Sequence, residues 1–303
     1  MFRRFGTWLP WVLLLSVAAC GAPADDDRSG GASKGDDEQA PGVVAAFYPL
    51  AYVASTVAGE DASVTNLTTP GVEPHDLEPS PAAIGRIAAA DLVLLEIGFQ
   101  PAIDASAEQN AAGVVFDVTD VVDLAPASDD SDQLDPHFWL DPLRMAALAD
   151  AVAQRLGELD PDQGEKYAAN AADLRAELVR LDDDFRVGLA ECSRRTVVVS
   201  HDAFGYLSKY DLSLESIVGL SPDAEPTPGD LAKLRALIET EAVTTVFSET
   251  LASPALSEAL AREAGVTTAV LDPIEGLSDE NAEEDYVSLM RANLAALRRA
   301  NGC

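Results

Sequence analysis

"DQGEKYAANAADLRAELVRLDDDFRVGL", residues 162–189, is the stretch on which the architecture turns. Its apolar side chains fall at Tyr167, Leu174, Leu178, Leu181 and Phe185, with spacings of three, four and seven. Nothing of consequence breaks that period, so the run predicts one long amphipathic helix. At 1.5 Å per residue such a helix reaches roughly 40 Å, enough to run the height of a molecule and join two lobes. Just upstream, "DPLRMAALADAVAQRLGELD" (141–160) predicts a second amphipathic helix, with Asp141 as its cap and Pro142 in first position.

On both sides of this pair, strand-like runs alternate with helical ones. Before it come "VVAAFYPL" (43–50), "SVTNLTTP" (63–70), "SPAAIGRIAAA" (80–90), "DLVLLEIG" (91–98) and "GVVFDVT" (113–119). After it, "RTVVVSHDAFGYLSKYD" (195–211) reads as strand, turn and helix, and "LSLESIVGL" (212–220) as a strand. "TPGDLAKLRALIETEA" (227–242) is a helix capped at Thr227, "TTVFSET" (244–250) a strand, "SPALSEALAREAG" (253–265) a helix and "VTTAVLDP" (266–273) the last strand. A final helix is expected from about Glu283 to Arg299. Such alternation argues for α/β lobes with mainly parallel sheets. The expected division is a first lobe at 43–160, a linking helix at 161–190 and a second lobe at 191–303, with a cleft where the lobes meet.

The N-terminus speaks to compartment. Arg3 and Arg4 precede an apolar stretch from Trp8 to Ala19, about the length of a signal-peptide core and short of the roughly 20 residues that span a bilayer. "SVAAC" (16–20) resembles a bacterial lipobox, which makes 1–19 a signal peptide and Cys20 the lipidated mature terminus; an ordinary signal peptide with an incidental cysteine is the plainer alternative. Residues 20–42 carry no large apolar side chain before the body begins, and read as an acidic, disordered tether. The expected location is extracytoplasmic, held to the cell membrane by lipid. With a net charge of −32 the chain will not bind nucleic acid through its phosphates. Most of that charge reads as solubility, with weak attraction for cations over the whole surface. Cys192 and Cys303 remain as an even pair in an oxidising compartment, and a disulfide between them is expected. Two free thiols are the alternative. Neither lies in a CxxC pattern, so a thiolate metal site is not indicated.

Only three histidines occur in the 303 residues. His75 lies in the proline-bounded "GVEPHDLEPS" (71–80), His137 in "DPHFWLDP" (135–142), and His201 at the strand end of "VVVSHDAFGY" (197–206). None lies on a helix face. In open α/β sheets ligands gather at the carboxyl ends of strands, so loops from both lobes can bring the three rings together in the cleft. Three imidazoles define a zinc-type site. Asp272, at the end of the last strand, is the expected fourth ligand, with Glu249 of "FSET" in reserve.

The series "FYPL", "GVEPHDLEPS", "AADLVLL", "DPHFWLDP", "SHDAFGYL", "FSET" and "LDPIEG" resembles the zinc and manganese solute-binding proteins of bacterial ABC importers, the ZnuA/TroA-like family. The likeness runs from about residue 43 to the end, and "PHDLEPSP" and "DPHFWLDP" are its specific pieces. It implies two α/β lobes on one long helix with the metal between them, His75 and His137 as first-lobe ligands, His201 and Asp272 from the second. It implies an ABC permease and its ATPase as partners of a monomeric carrier. Manganese-binding relatives tend to carry a glutamate where His201 stands; an imidazole there moves preference from Mn²⁺ toward Zn²⁺. Two departures stand out. The acidic loop "APASDDSDQLD" (125–135) has no histidine, so any metal collection would rest on Asp129, Asp130 and Asp132 alone and a plain solvated loop is the expectation. "LEIGFQ" (95–100) puts Glu96 where relatives often have asparagine-glycine, with a role lining the cleft or supporting a ligand left open.

Three histidines alone also suit a zinc hydrolase with an open coordination position. HExxH is absent, no nucleophile constellation appears, and a carboxylate closing the shell leaves no place for substrate. Capture and release without catalysis is the expectation. A surface adhesin is a third class that needs evidence of its own. Zinc affinity is expected to fall below about pH 6.5, where free imidazole protonates, and the long helix should limit lobe movement to small tilts.

Overall fold

The computed structural model describes residues 40–127 and 133–303. The expected signal peptide, Cys20, most of the expected tether, and Asp129, Asp130 and Asp132 lie outside the described residues. Among those described, no helix is long and apolar enough to cross a membrane.

Two four-stranded parallel sheets form the frame. The first contains β1 (Gly42–Ala45), β2 (Ser63–Asn66), β3 (Leu92–Leu95) and β4 (Val114–Asp117), in the order β2-β1-β3-β4. Its helices are α1 (Tyr48–Ala58), α2 (Pro81–Ala89) and α3 (Pro101–Asn110). A short antiparallel pair, β5 (Ala125–Pro126) and β6 (Leu134–Asp135), brackets the acidic loop. After α4 (Pro142–Leu159) and α5 (Gly164–Gly188) comes the second sheet: β7 (Thr196–Val199), β8 (Ser213–Ser216), β9 (Thr245–Ser248) and β10 (Thr267–Val270), in the order β10-β9-β7-β8. The remaining helices are α6 (Pro228–Thr240), α7 (Ala255–Ala264) and α8 (Tyr286–Asn301). Each sheet thus reverses direction once, between β1 and β3 and between β7 and β9. Loops diverge at those points and leave a crevice beyond the strand ends.

The local reasons are conventional. Central strands such as Leu92–Leu95 are buried on both faces, as parallel strands covered by helices must be. Helix starts are fixed by side-chain caps: Ser80 accepts from Ala83 N, Asp141 from Leu143 N and Thr227 from Asp230 N, each followed by proline. At α8, Asp285 and Ser288 form a reciprocal capping box, which starts the helix at Tyr286, slightly later than the apolar period suggests.

Helix α5 has 25 residues, about 37 Å, and begins after a 3-10 turn at Pro161–Gln163. It packs against α4, α1 and α8, burying Tyr167, Leu174, Leu178, Leu181 and Phe185. Its first half is fastened to the first lobe, where Tyr167 Oη donates to Asp61 O at 3.2 Å and Asn170 Nδ2 to Val57 O at 2.9 Å. Its second half is fastened to the second lobe, where Asp182 accepts from Tyr210 Oη and Lys209 Nζ, each at 2.7 Å. A single apolar core runs from Val43 of β1 through Leu148 and Leu178 to Phe247 and Leu297. A second, smaller one includes Val198, Leu234, Ile238, Val246 and Leu260, residues of the second sheet with α6 and α7. Because the main core crosses between the lobes, prising them apart exposes apolar surface at roughly 25 cal/mol per Å².

The expected helix after His201 is instead a 3-10 turn, Gly205–Tyr210, ended by Asp211 in the left-handed region at φ 65°. Glycine is required at its start, because a Cβ at Gly205 would meet Asp135 Oδ2 at 2.6 Å. A disulfide joins Cys192 to Cys303, pinning the end of the chain just before the second sheet.

Candidate metal centre

Four side chains converge at the crevice: His75, His137, His201 and Glu275, each offering one ligand atom within 4.8 Å of the others. His75 comes from the loop after β2, His137 from the turn leading into α4, His201 from just beyond β7, and Glu275 from beyond β10. Glu275 Oε1 lies 3.4 Å from His75 Nε2, 3.3 Å from His137 Nε2 and 3.3 Å from His201 Nε2. The Nε2 atoms of His137 and His201 are 3.4 Å apart. For ligands 2.0–2.1 Å from a tetrahedral ion the edge of the tetrahedron is about 3.3–3.4 Å. Four of its edges are therefore already at the length zinc requires. His137, His201 and Glu275 are sealed from solvent, and the His75 side chain is 13% exposed.

The rings are aimed by their other nitrogens. His137 Nδ1 is 2.7 Å from Asp135 Oδ1, which also accepts from His137 N at 2.9 Å. Tyr206 Oη, from the second lobe, donates to Asp135 O at 2.8 Å. His201 Nδ1 is 2.6 Å from Glu249 Oε1, which accepts as well from His201 N at 3.1 Å and from Ser200 Oγ. These carboxylates hold each imidazole in the tautomer that turns Nε2 inward and increase its basicity. His75 is aimed differently: its N–H donates to Glu73, at 3.0 and 3.1 Å, and its ring sits edge-on to Phe99, 4.6 Å between centroids.

Asp272, the expected fourth ligand, is not in the group. Its Oδ1 accepts from Ile274 N at 2.8 Å, and its Oδ2 from Thr250 Oγ1 at 2.8 Å and Asn281 Nδ2 at 3.2 Å. Its main chain is clamped by Asn293 on α8, through N to Oδ1 at 2.9 Å and O to Nδ2 at 2.6 Å. Both of its oxygens are thus spent bracing the turn that presents Glu275, three residues on. Within that turn Ile274 sits at φ 59°, a costly conformation for a β-branched residue. Trp139 Nε1, from the first lobe, donates to Pro273 O at 2.7 Å and helps hold it there. Glu249, the reserve, orients His201. Glu275 was within the quoted "LDPIEG" but carries no local mark that would rank it above Asp272.

Electrostatics favour the charged forms of His137, His201 and Glu275 over the neutral ones. Burial opposes charge on His201, but Glu249 and Glu275 outweigh it and push the ring up to about 10. His137 is likewise lowered by burial and raised, on balance, by Asp135 and Glu275. Burial alone lifts a carboxyl, yet the three imidazoles bring Glu275 well below the usual range.

A cavity of about 650 Å³ opens beside His75, lined also by Glu96, Phe99, Gln133 and Ser221. Glu96 is buried, and neither of its oxygens has a hydrogen-bond partner among the described residues. Burial first, then Asp135, Asp117 and Asp104, raise its carboxyl well above the ordinary range.

Residues 43–300 match the family described as zinc-uptake complex component A, periplasmic, or ZnuA. The chain belongs to the ZnuA family. It is 32% identical to the high-affinity zinc uptake system protein ZnuA of Bacillus subtilis, over 98% of both chains. It is 33% identical to the zinc-binding lipoprotein AdcA of Streptococcus pneumoniae over 85% of this chain, and spans about half, 55%, of that longer protein. The crystal structure of the Zn(II)-bound ZnuA-like domain of the same AdcA superposes with a TM-score of 0.75 at 33% identity, covering 87% of this chain and 99% of that one. The two α/β lobes with a long helix between them are the architecture of this ZnuA-family domain.

Proposed function

We propose that the protein captures Zn²⁺ outside the cytoplasmic membrane and hands it to an ABC permease driven by its ATPase. The observation that carries this reading is the convergence of His75, His137, His201 and Glu275 within 4.8 Å, with four of the six separations at the edge length of a tetrahedral zinc shell. Three nitrogens and one oxygen favour zinc over manganese, which prefers oxygen-rich shells. The ZnuA and AdcA relatives, named for zinc uptake and zinc binding, agree with that preference. Four protein atoms complete a zinc shell, so no position is left for the water a hydrolase would activate. Binding and release, without catalysis, follow from that closure.

The ion enters from the His75 side, since the other three ligands are sealed. Each proton on a ring nitrogen facing the centre leaves as the ion arrives. Return of protons, or distortion of the loop at 71–80 by the permease, favours release. The proposed setting is a monomer lipidated at Cys20 and tethered by residues 20–42, consistent with the lipoprotein name of the AdcA relative.

Elemental analysis of protein purified without added metal, followed by competition titration with a chelator, tests this. One zinc per chain is expected, with affinity lost in His201→Ala. Equal affinity in that variant refutes the ligand set. A metal-bound water in place of Glu275 in a loaded crystal favours the hydrolase.

A further inference from the structure

The cavity next to the metal centre holds one side chain that the site described so far does not use. Glu96 sits immediately after β3, at the point where the first sheet reverses, and lines the same cavity as His75. Its neighbours in the chain are placed with evident care. Ile97 N donates to Asp117 Oδ1, Gly98 takes φ 98° with its N–H donating to Asp104 Oδ2, and Phe99 packs on the His75 ring. The turn therefore directs Glu96 inward, while its own carboxylate receives no hydrogen bond from the described residues.

That is anomalous by this protein's own standard. The buried carboxylates Asp135, Asp141, Glu249 and Asp272 each accept hydrogen bonds from named donors. Glu96 has no partner on either oxygen among the described residues. The charges that act on it, from Asp135, Asp117 and Asp104, are all negative. A buried acid that only braced the fold would have donors; one that waits for a cation need not. The cavity is also far larger than a bare ion requires. A divalent ion with six waters occupies about 200 Å³ at roughly 30 Å³ per water, which fits within the 650 Å³ available.

We propose that Glu96 is a transit ligand: an incoming divalent cation is held by its carboxylate oxygens inside the cavity before passing to His75 and the other three ligand atoms, and departs by the same route. Any proton on Glu96 leaves to water as the cation binds and returns as it moves on, so charge balances at each step. This rests on the zinc-capture reading and adds a path to it. A transit ligand lowers the barrier in both directions and leaves the end states unchanged, so its signature is kinetic.

The test is stopped-flow zinc uptake by the whole chain, and zinc removal by a chromogenic chelator, for wild type, Glu96→Gln and Glu96→Met. Gln keeps the shape without the anion, and Met removes polarity altogether. Both rates should fall about tenfold or more, within the range by which local electrostatics alter encounter, while Kd stays within about threefold. Unchanged rates in variants of full affinity overturn the transit role alone. Loss of folding or of equilibrium affinity in both variants also overturns it, by making Glu96 a brace or a permanent ligand. A wild-type chain that takes up no zinc overturns the parent reading, and this one with it.

Discussion

Replacing Asp272 separates bracing from coordination. Asp272→Ala removes acceptors for Ile274 N, Thr250 Oγ1 and Asn281 Nδ2. Thr250 and Asn281 are only partly buried and can turn toward water, but Ile274 is fully buried and its N–H cannot. An orphaned buried donor costs about 1–3 kcal/mol. The same N–H helps hold Ile274 at φ 59°, a conformation that itself stores about 1–3 kcal/mol. Released, the turn relaxes and Glu275 Oε1 leaves its place 3.3–3.4 Å from three ring nitrogens. Loss of a group that positions a ligand typically weakens metal binding 10- to 100-fold, about 1.4–2.7 kcal/mol. Asp272→Asn keeps a carbonyl for Ile274 N, the Thr250 hydroxyl can reverse to accept from the amide, and the partly buried Asn281 Nδ2, now facing a donor, can turn to water, so its affinity should stay within about threefold of the parent. Glu275→Gln removes a ligand anion and should lose more than the 100-fold that bounds a positioning effect. Chelator competition gives the affinities, and urea unfolding without metal gives the stabilities. If Asn at position 272 proves as damaging as Gln at 275, Asp272 enters the coordination shell on loading and the bracing account fails.

Zinc uptake should release at least one proton per ion at neutral pH, because His201, held up to about 10, is charged there before the ion arrives. Affinity should accordingly keep rising with pH from about 6.5 toward 10, where a free imidazole would already have levelled off. Calorimetry in buffers of different ionisation enthalpy measures the proton count, and a count of zero contradicts it. For the metal-free protein the sign is opposite: the stabilising contribution of charged His201 is complete below about 6.5 and is lost as pH rises through about 10. Trp139→Phe deletes the donor to Pro273 O and should cost about 1–3 kcal/mol with a parallel loss of zinc affinity; unfolding curves and titrations that match wild type contradict the strut. Cys303→Ser opens a loop spanning 111 residues and should lower stability by about 2–5 kcal/mol without altering zinc affinity. Crystals with and without metal should differ by small tilts and a shift of the loop at 71–80, since α5 is fastened to both lobes and the main core crosses between them; a rotation of tens of degrees contradicts this.

What could be read from the chain in advance follows the range of the forces involved. The strands, the caps at Ser80, Asp141 and Thr227, and the long helix are legible because periodicity and capping act over a few residues. The three histidines are legible because rarity and placement at strand ends leave few alternatives. The fourth ligand is not, and the reason is physical. Asp272 and Glu275 stand three residues apart in one loop, and which of them faces the centre depends on the turn between them. Local propensity votes against that turn, since it puts isoleucine in the left-handed region. The vote is overruled from afar, by Asn293 on α8 and by Trp139 from the other lobe. At Gly205–Tyr210 the lobes meet again: Asp135 of the first lobe approaches so closely that only glycine fits at 205, and Tyr206 of the turn donates to Asp135 O. In both places each lobe supplies part of the support for the other lobe's ligands. A centre built that way reaches its geometry only when the lobes are already docked, which is why its ligand atoms stand at coordination spacing across a shared, continuous core.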